Sequence, residues 1–118
     1  MTDTFTFLRI TADGDRRPHH RTARTGSERV QALRIALGGE PLHIAVTDRH
    51  LSVWCAPRAY LAGRAHNPVA TAVVTHLGGR PPEPLAGPVV IAGRRGADSA
   101  GLTRAQLSAV LQIVDALR

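Results

Sequence analysis

The stretch HNPVATAVVTHLGG, residues 66–79, constrains this chain more tightly than any other. Asn67 is a preferred N-cap, and Pro68 follows at the first helical position, where its missing N–H costs nothing. Val69, Ala70, Val73, Val74 and Leu77 make one apolar stripe, and Gly78-Gly79 end the run. Each residue has an architectural task, so the motif needs no function to explain it. A short helix with one oily face must cover something, and the flanking segments supply it.

Those segments read as strands and helices in turn. TFTFLRIT, residues 4–11, is rich in β-branched and aromatic types and predicts a first strand. ADGDRRPHHRTARTG, residues 12–26, is polar and aperiodic and predicts a long flexible loop. A first helix is expected from Thr25, with Glu28 at capping-box spacing, Val30, Leu33 and Leu37 on one face, and Gly38-Gly39 as its stop. LHIAVTD (42–48) and LSVWCAP (51–57) alternate with period two and predict a hairpin. With Arg49 and His50 at the tip, Val46 pairs with Val53 and Ile44 with Cys55 on the core face; His43, Ala45, Thr47, Ser52 and Trp54 share the other. The tip lacks the Asn-Gly that fixes a two-residue turn. RPPEPLAGP (80–88) is a proline-stiffened connector, VVIA (89–92) a strand buried on both faces, and GRRGADSAG (93–101) a loop. A last helix opens at Thr103, capped with Gln106, with Leu102 stapled to Leu107. Its buried stripe is Leu107, Val110, Leu111, Val114 and Leu117.

The order β-α-β-β-α-β-α predicts one α+β domain over residues 1–118: a two-layer sandwich, with a short mixed sheet and helices on one face. A chain of 118 residues buries roughly two thirds of its unfolded surface, enough for a core without staples. The single cysteine excludes an intrachain disulfide framework. No window is long and apolar enough for a membrane span, and MTDTFTFLRI lacks the pattern of a secretory signal, so a cytoplasmic protein without membrane contact is expected.

Within this region the order of Gly38-Gly39, a hairpin, Asn67-Pro68 with Ala70 and Thr71, and Gly87-Pro88 with Gly93 resembles the small family known as domain of unknown function 3846. The likeness spans Leu33 to Gly93, about half the chain, and the Arg-rich segment at 12–26 looks like an addition to it. What the resemblance implies is a bacterial protein of phage or plasmid type. It brings no catalytic residues.

Charge points to a partner. Fifteen basic residues, all Arg, face nine acidic ones, for a formal net charge of +6. Codon bias accounts for Arg in place of Lys, but not for the basic excess, which favours anions. Arg16, Arg17, Arg21 and Arg24 are candidates for an arm on phosphates, and Arg94 and Arg95 in GRRG for an anion-binding nest; a solvated loop is the plain reading of each. Trp54, the only tryptophan, with His43 and Thr47, defines a second candidate surface, for a protein partner or a second copy. The plain reading there is a tryptophan covered by another element.

Catalysis finds less support. The six histidines show no metal-ligand spacing, and adjacent His19 and His20 point apart in an extended segment. Cys55 is expected on the core face, away from His43. No P-loop or RNP-like motif occurs, and no cofactor is implied. The expectation is a non-enzymatic binding or accessory module with nucleic acid or another polyanion as partner; a protein-interaction adaptor or homodimer is the alternative.

Overall fold

The computed structural model describes residues 3–57, 63–81 and 84–118. Among them the elements run β1 (Thr4–Ile10), β2 (Arg16–Thr22), α1 (Gly26–Leu37), β3 (Leu42–Ile44), β4 (Leu51–Cys55), α2 (Pro68–His76), β5 (Val89–Arg95), β6 (Asp98–Ala100) and α3 (Arg104–Leu117). The fold is α+β. The sheet order is β2-β1-β5-β4-β3, with β6 also on β5. Every pairing is antiparallel, so the sheet is not mixed.

Helices cover both faces, not one. Alternation along the strands builds two cores, because successive side chains point to opposite sides. Leu8, Ile10, Val53, Val89 and Ile91 pack with Val73 and Val74 of α2 and Val110 and Val114 of α3. Phe5, Phe7, Val90 and Ala92 pack with Leu33, Ala36 and Leu37 of α1. Each fully buried side chain of this size contributes roughly 1.5–3 kcal/mol, so β1 and β5, apolar on both sides, anchor the molecule. The stripes are narrower than their sequences suggest: Val30 and Leu117 are each 37% exposed.

The helix ends follow their sequence signals. Thr25 caps α1 by accepting from Glu28 N, although the Glu28 carboxylate takes the Thr25 hydroxyl rather than its backbone N–H. Thr103 and Gln106 form a reciprocal capping box on α3. At the far end of α2, Gly78 has φ +86° and a Cβ there would collide with the Thr47 side chain. Only glycine fits that exit.

Asn67 does more than cap. It is fully buried; its Oδ1 accepts from Ala70 N, while Nδ2 donates to Ile10 O at 3.0 Å and Gly87 O at 2.9 Å. One side chain thus ties α2 to the end of β1 and to the connector. The connector itself pairs once, Ala86 with His66; its residues 82 and 83 lie outside the described set.

Three local expectations change. Residues 12–26 are not one loop: they include β2, paired along its length with β1 after a turn at Gly14. As an edge strand β2 leaves most of its residues wet, so no apolar alternation marks it, and Pro18 is tolerated there. The β3–β4 register is shifted by two, with Ile44 opposite Val53 and Leu42 opposite Cys55. A shift of two keeps the paired residues 42–44 and 53–55 on their expected faces. Its cause is Asp48, whose carboxylate accepts from His50 N and whose carbonyl accepts from Leu51 N, making a wider turn. Finally, residues 93–101 are no loop, because β5 continues to Arg95 and returns as β6 through Gly96.

Candidate functional site

The arginines of the 12–26 segment are largely engaged within the protein. Arg16 grips the Asp115 carboxylate of α3 with Nε at 2.6 Å and Nη2 at 3.1 Å. Arg17 pairs with Asp15 at 3.1 Å and Arg24 with Asp3 at 3.3 Å. Arg21 leans on the His19 ring, Nη2 to Nδ1 at 3.1 Å. They lie on or beside an ordered strand, and three of the four charges are already matched.

Arg94 and Arg95 stand differently. Their backbone is committed to the hairpin and Arg94 N donates to His50 O at 2.9 Å, so GRRG forms no nest of open N–H groups. Both residues instead line a cleft of about 700 Å³ with Arg49, His50, Thr103 and Gln106, and Arg94 Nε donates to Gly96 O at 2.6 Å. Three elements meet there: the wide turn before β4, the β5–β6 hairpin, and the start of α3. Gln106 fastens the corner, donating to His50 O at 3.3 Å while its own oxygen caps Thr103 N.

The electrostatics of the cleft are one-sided. No carboxylate lines it, and Arg49, Arg94 and Arg95 have no ion-pair partner among the described residues. The first turn of α3 carries no acid, and its N-terminus adds partial positive charge. Guanidinium groups gathered without acids repel one another, and an anion between them relieves the repulsion. Arg49 and His50 escape a sequence reading because they reach Arg94 only through the long-range pairing of β4 with β5, which the His50–Arg94 backbone bond extends.

The Trp54 surface is also altered. Thr47 does not belong to it: Thr47 N donates to Leu77 O at 2.9 Å, drawing the segment after β3 toward α2 on the opposite side of the sheet. His43 does, sitting across from Trp54 with ring centroids 5.0 Å apart. The face is not free of helix, since α1 packs on it and Trp54 is half-buried against that core. The indole N–H donates to Ser52 Oγ at 3.0 Å, and Ser52 in turn donates to Gly93 O at 2.8 Å. Beside the indole remain two hollows, of about 390 Å³ toward α1 and about 160 Å³ toward His43 and Arg94.

The remaining candidates have structural settings. Cys55 is buried on the core face opposite Leu42 and Val89. His19 stacks on Phe7, centroids 5.1 Å apart, while His20 exchanges a hydrogen bond with Thr6 Oγ1. Burial first, then the charges of Arg21, Arg9 and Arg17, hold the His19 imidazole below its ordinary range. His43 is lowered by burial and then by Arg94, which keeps both rings neutral at pH 7. Among the described residues no helix is long and apolar enough to cross a membrane. Comparison with protein-family models, curated proteins and solved structures finds no match to this chain.

Proposed function

We propose that this protein is a non-enzymatic binding module whose partner is a polyanion, nucleic acid first, held through phosphates in the cleft of Arg49, Arg94 and Arg95. The observation that carries the reading is that cluster: three arginines line one open cleft with no carboxylate among its lining residues, although Arg94 Nε donates to Gly96 O at 2.6 Å. Guanidinium forks match phosphate oxygens bidentately, and the cleft shows no base-reading constellation, so contact to the backbone without sequence preference is the expected mode. The proposed site is the cleft at the C-terminal end of β5 rather than the 12–26 segment, where three of the four arginine charges are matched internally. Burial of Cys55, with His43 on the other side of the sheet, supports the non-enzymatic part. A cytoplasmic setting and a bacterial mobile-element origin complete the proposal, the latter resting on the resemblance to domain of unknown function 3846.

Anisotropy of a labelled oligonucleotide tests it. The wild-type chain binds at low salt whatever the sequence, and Arg94→Ala/Arg95→Ala weakens all sequences alike. Binding unaffected by that double change places the contact elsewhere. The second reading, a protein adaptor or homodimer, is favoured by Ile35 on α1 at 72% exposure and Leu42 on β3 at 46%. Salt-insensitive self-association that shields Trp54 is its signature.

A further inference from the structure

The Trp54 hollows and the basic cleft lie on the two sides of one hairpin, and Arg94 lines both the cleft and the smaller hollow. The two hollows share Trp54, Ala97, Asp98 and Ser99, so they adjoin along the groove between α1 and the β5–β6 hairpin. Resting on the reading above, we propose that the nucleic acid is single-stranded, with a base taken into this groove against Trp54 while its phosphates lie in the Arg49, Arg94 and Arg95 cleft.

The groove suits a base and not a phosphate. Trp54 has its only polar atom satisfied by Ser52, so what it offers an incoming group is the aromatic surface. Every base has a π-face to lay on such a surface, which makes stacking tolerant of sequence. Asp98 lines the groove but not the cleft. A carboxylate repels phosphate and accepts hydrogen bonds from the N–H groups of a base, thymine N3–H included, so it sorts the two ends of a nucleotide. On the α1 side stands Arg29, whose Nε is shielded from solvent and has no hydrogen-bond partner among the described residues.

Duplex cannot use the groove. Its bases are paired and stacked on each other, whereas unpaired bases are free to turn onto an aromatic side chain. Duplex is left with the cleft alone, and single strands engage both sides of the hairpin.

Trp54 is the only tryptophan, so its emission reports on this groove alone. The full chain is titrated at low salt with oligothymidylate of about twelve nucleotides, within the span of small single-strand binding folds, and separately with duplex of that length. Quenching of Trp54 by the single strand, saturating together with the anisotropy of the labelled oligonucleotide, is the expected result, with little quenching by duplex. Trp54→Ala weakens single-strand binding about tenfold and narrows the gap to duplex, while Trp54→Phe, which keeps a ring in place, retains most of it. Should Trp54→Ala fail to fold, the wild-type quench and the Phe variant still decide. Salt-sensitive binding of both nucleic acids with equal affinity and no quench overturns the single-strand inference and leaves the phosphate reading standing. If neither nucleic acid binds, both readings fall.

Discussion

Arg16 and Asp115, 99 residues apart in the chain, are joined by two hydrogen bonds that fasten the edge strand β2 to the last turn of α3. The pair is partly open to water, and each group is shifted toward its charged form: the Asp115 hydrogen bond raises Arg16, and the Arg16 hydrogen bond lowers Asp115. Arg16→Ala therefore lowers the urea midpoint slightly, and the difference shrinks in ~1 M salt, where exposed charges are screened. A large loss that salt does not touch contradicts this account of the pair.

Asn67→Ala should be far more damaging than loss of an ordinary cap. A cap alone is worth about 1 kcal/mol, but this change also strips the donors from Ile10 O and Gly87 O. Leaving buried acceptors unpaired brings the expected loss to about 3 kcal/mol. Asn67→Asp keeps the acceptor for Ala70 N yet sets a carboxylate against two carbonyls, so it rescues little. Chemical denaturation measures both. A loss near 1 kcal/mol for Asn67→Ala would show that the two carbonyls find water instead.

Acid sensitivity has two separable windows. The folded protein holds His19 and His43 below the ordinary value of 6.5, chiefly by burial, so the unfolded chain takes up those protons first as pH falls. Stability is full above about pH 6.5 and declines as the pH drops from there toward the folded values. Asp13 and Asp115 act in a lower range. Their carboxylates are held below 3.8, by Thr11 and by Arg16 respectively, and the stability they add is lost as pH falls below that value. Urea midpoints at about pH 7.5 and 5.5 isolate the histidine window. His19→Gln/His43→Gln reduces the drop between them; an unchanged drop assigns it to other groups.

Local order was more legible in the sequence than assembly. The α2 helix, both stops at Gly-Gly, and the capping box at Thr103 can be read directly, because each depends on neighbours a few residues away. Strand β2 cannot, since an edge strand with wet faces has no alternation to betray it; its only mark is the partner β1. The second helical layer is hidden for a related reason. Phe5 and Phe7 alternate with Leu8 and Ile10, and apolar residues on both faces of β1 are the sign that both faces are covered. That sign was present at residues 5–10, as it was in VVIA. The candidate site was half legible: Arg94 and Arg95 stood out, but Arg49 joins them through the pairing of β4 with β5, a contact between segments about forty residues apart.

The central claim is that phosphates are held by Arg49, Arg94 and Arg95 rather than by the arginines of β2 and its flanks. Two triple variants separate these while removing the same charge: Arg49→Ala/Arg94→Ala/Arg95→Ala, and Arg16→Ala/Arg17→Ala/Arg24→Ala. The measurement is the log–log dependence of single-strand affinity on salt for both, beside the wild type. Each phosphate that is no longer neutralised flattens that slope by about 0.7, so the cleft variant should drop by about two units while the β2 variant keeps the wild-type slope. Equal flattening in both variants would mean that net charge alone attracts the strand, and flattening in the β2 variant only would move the site back to the 12–26 segment.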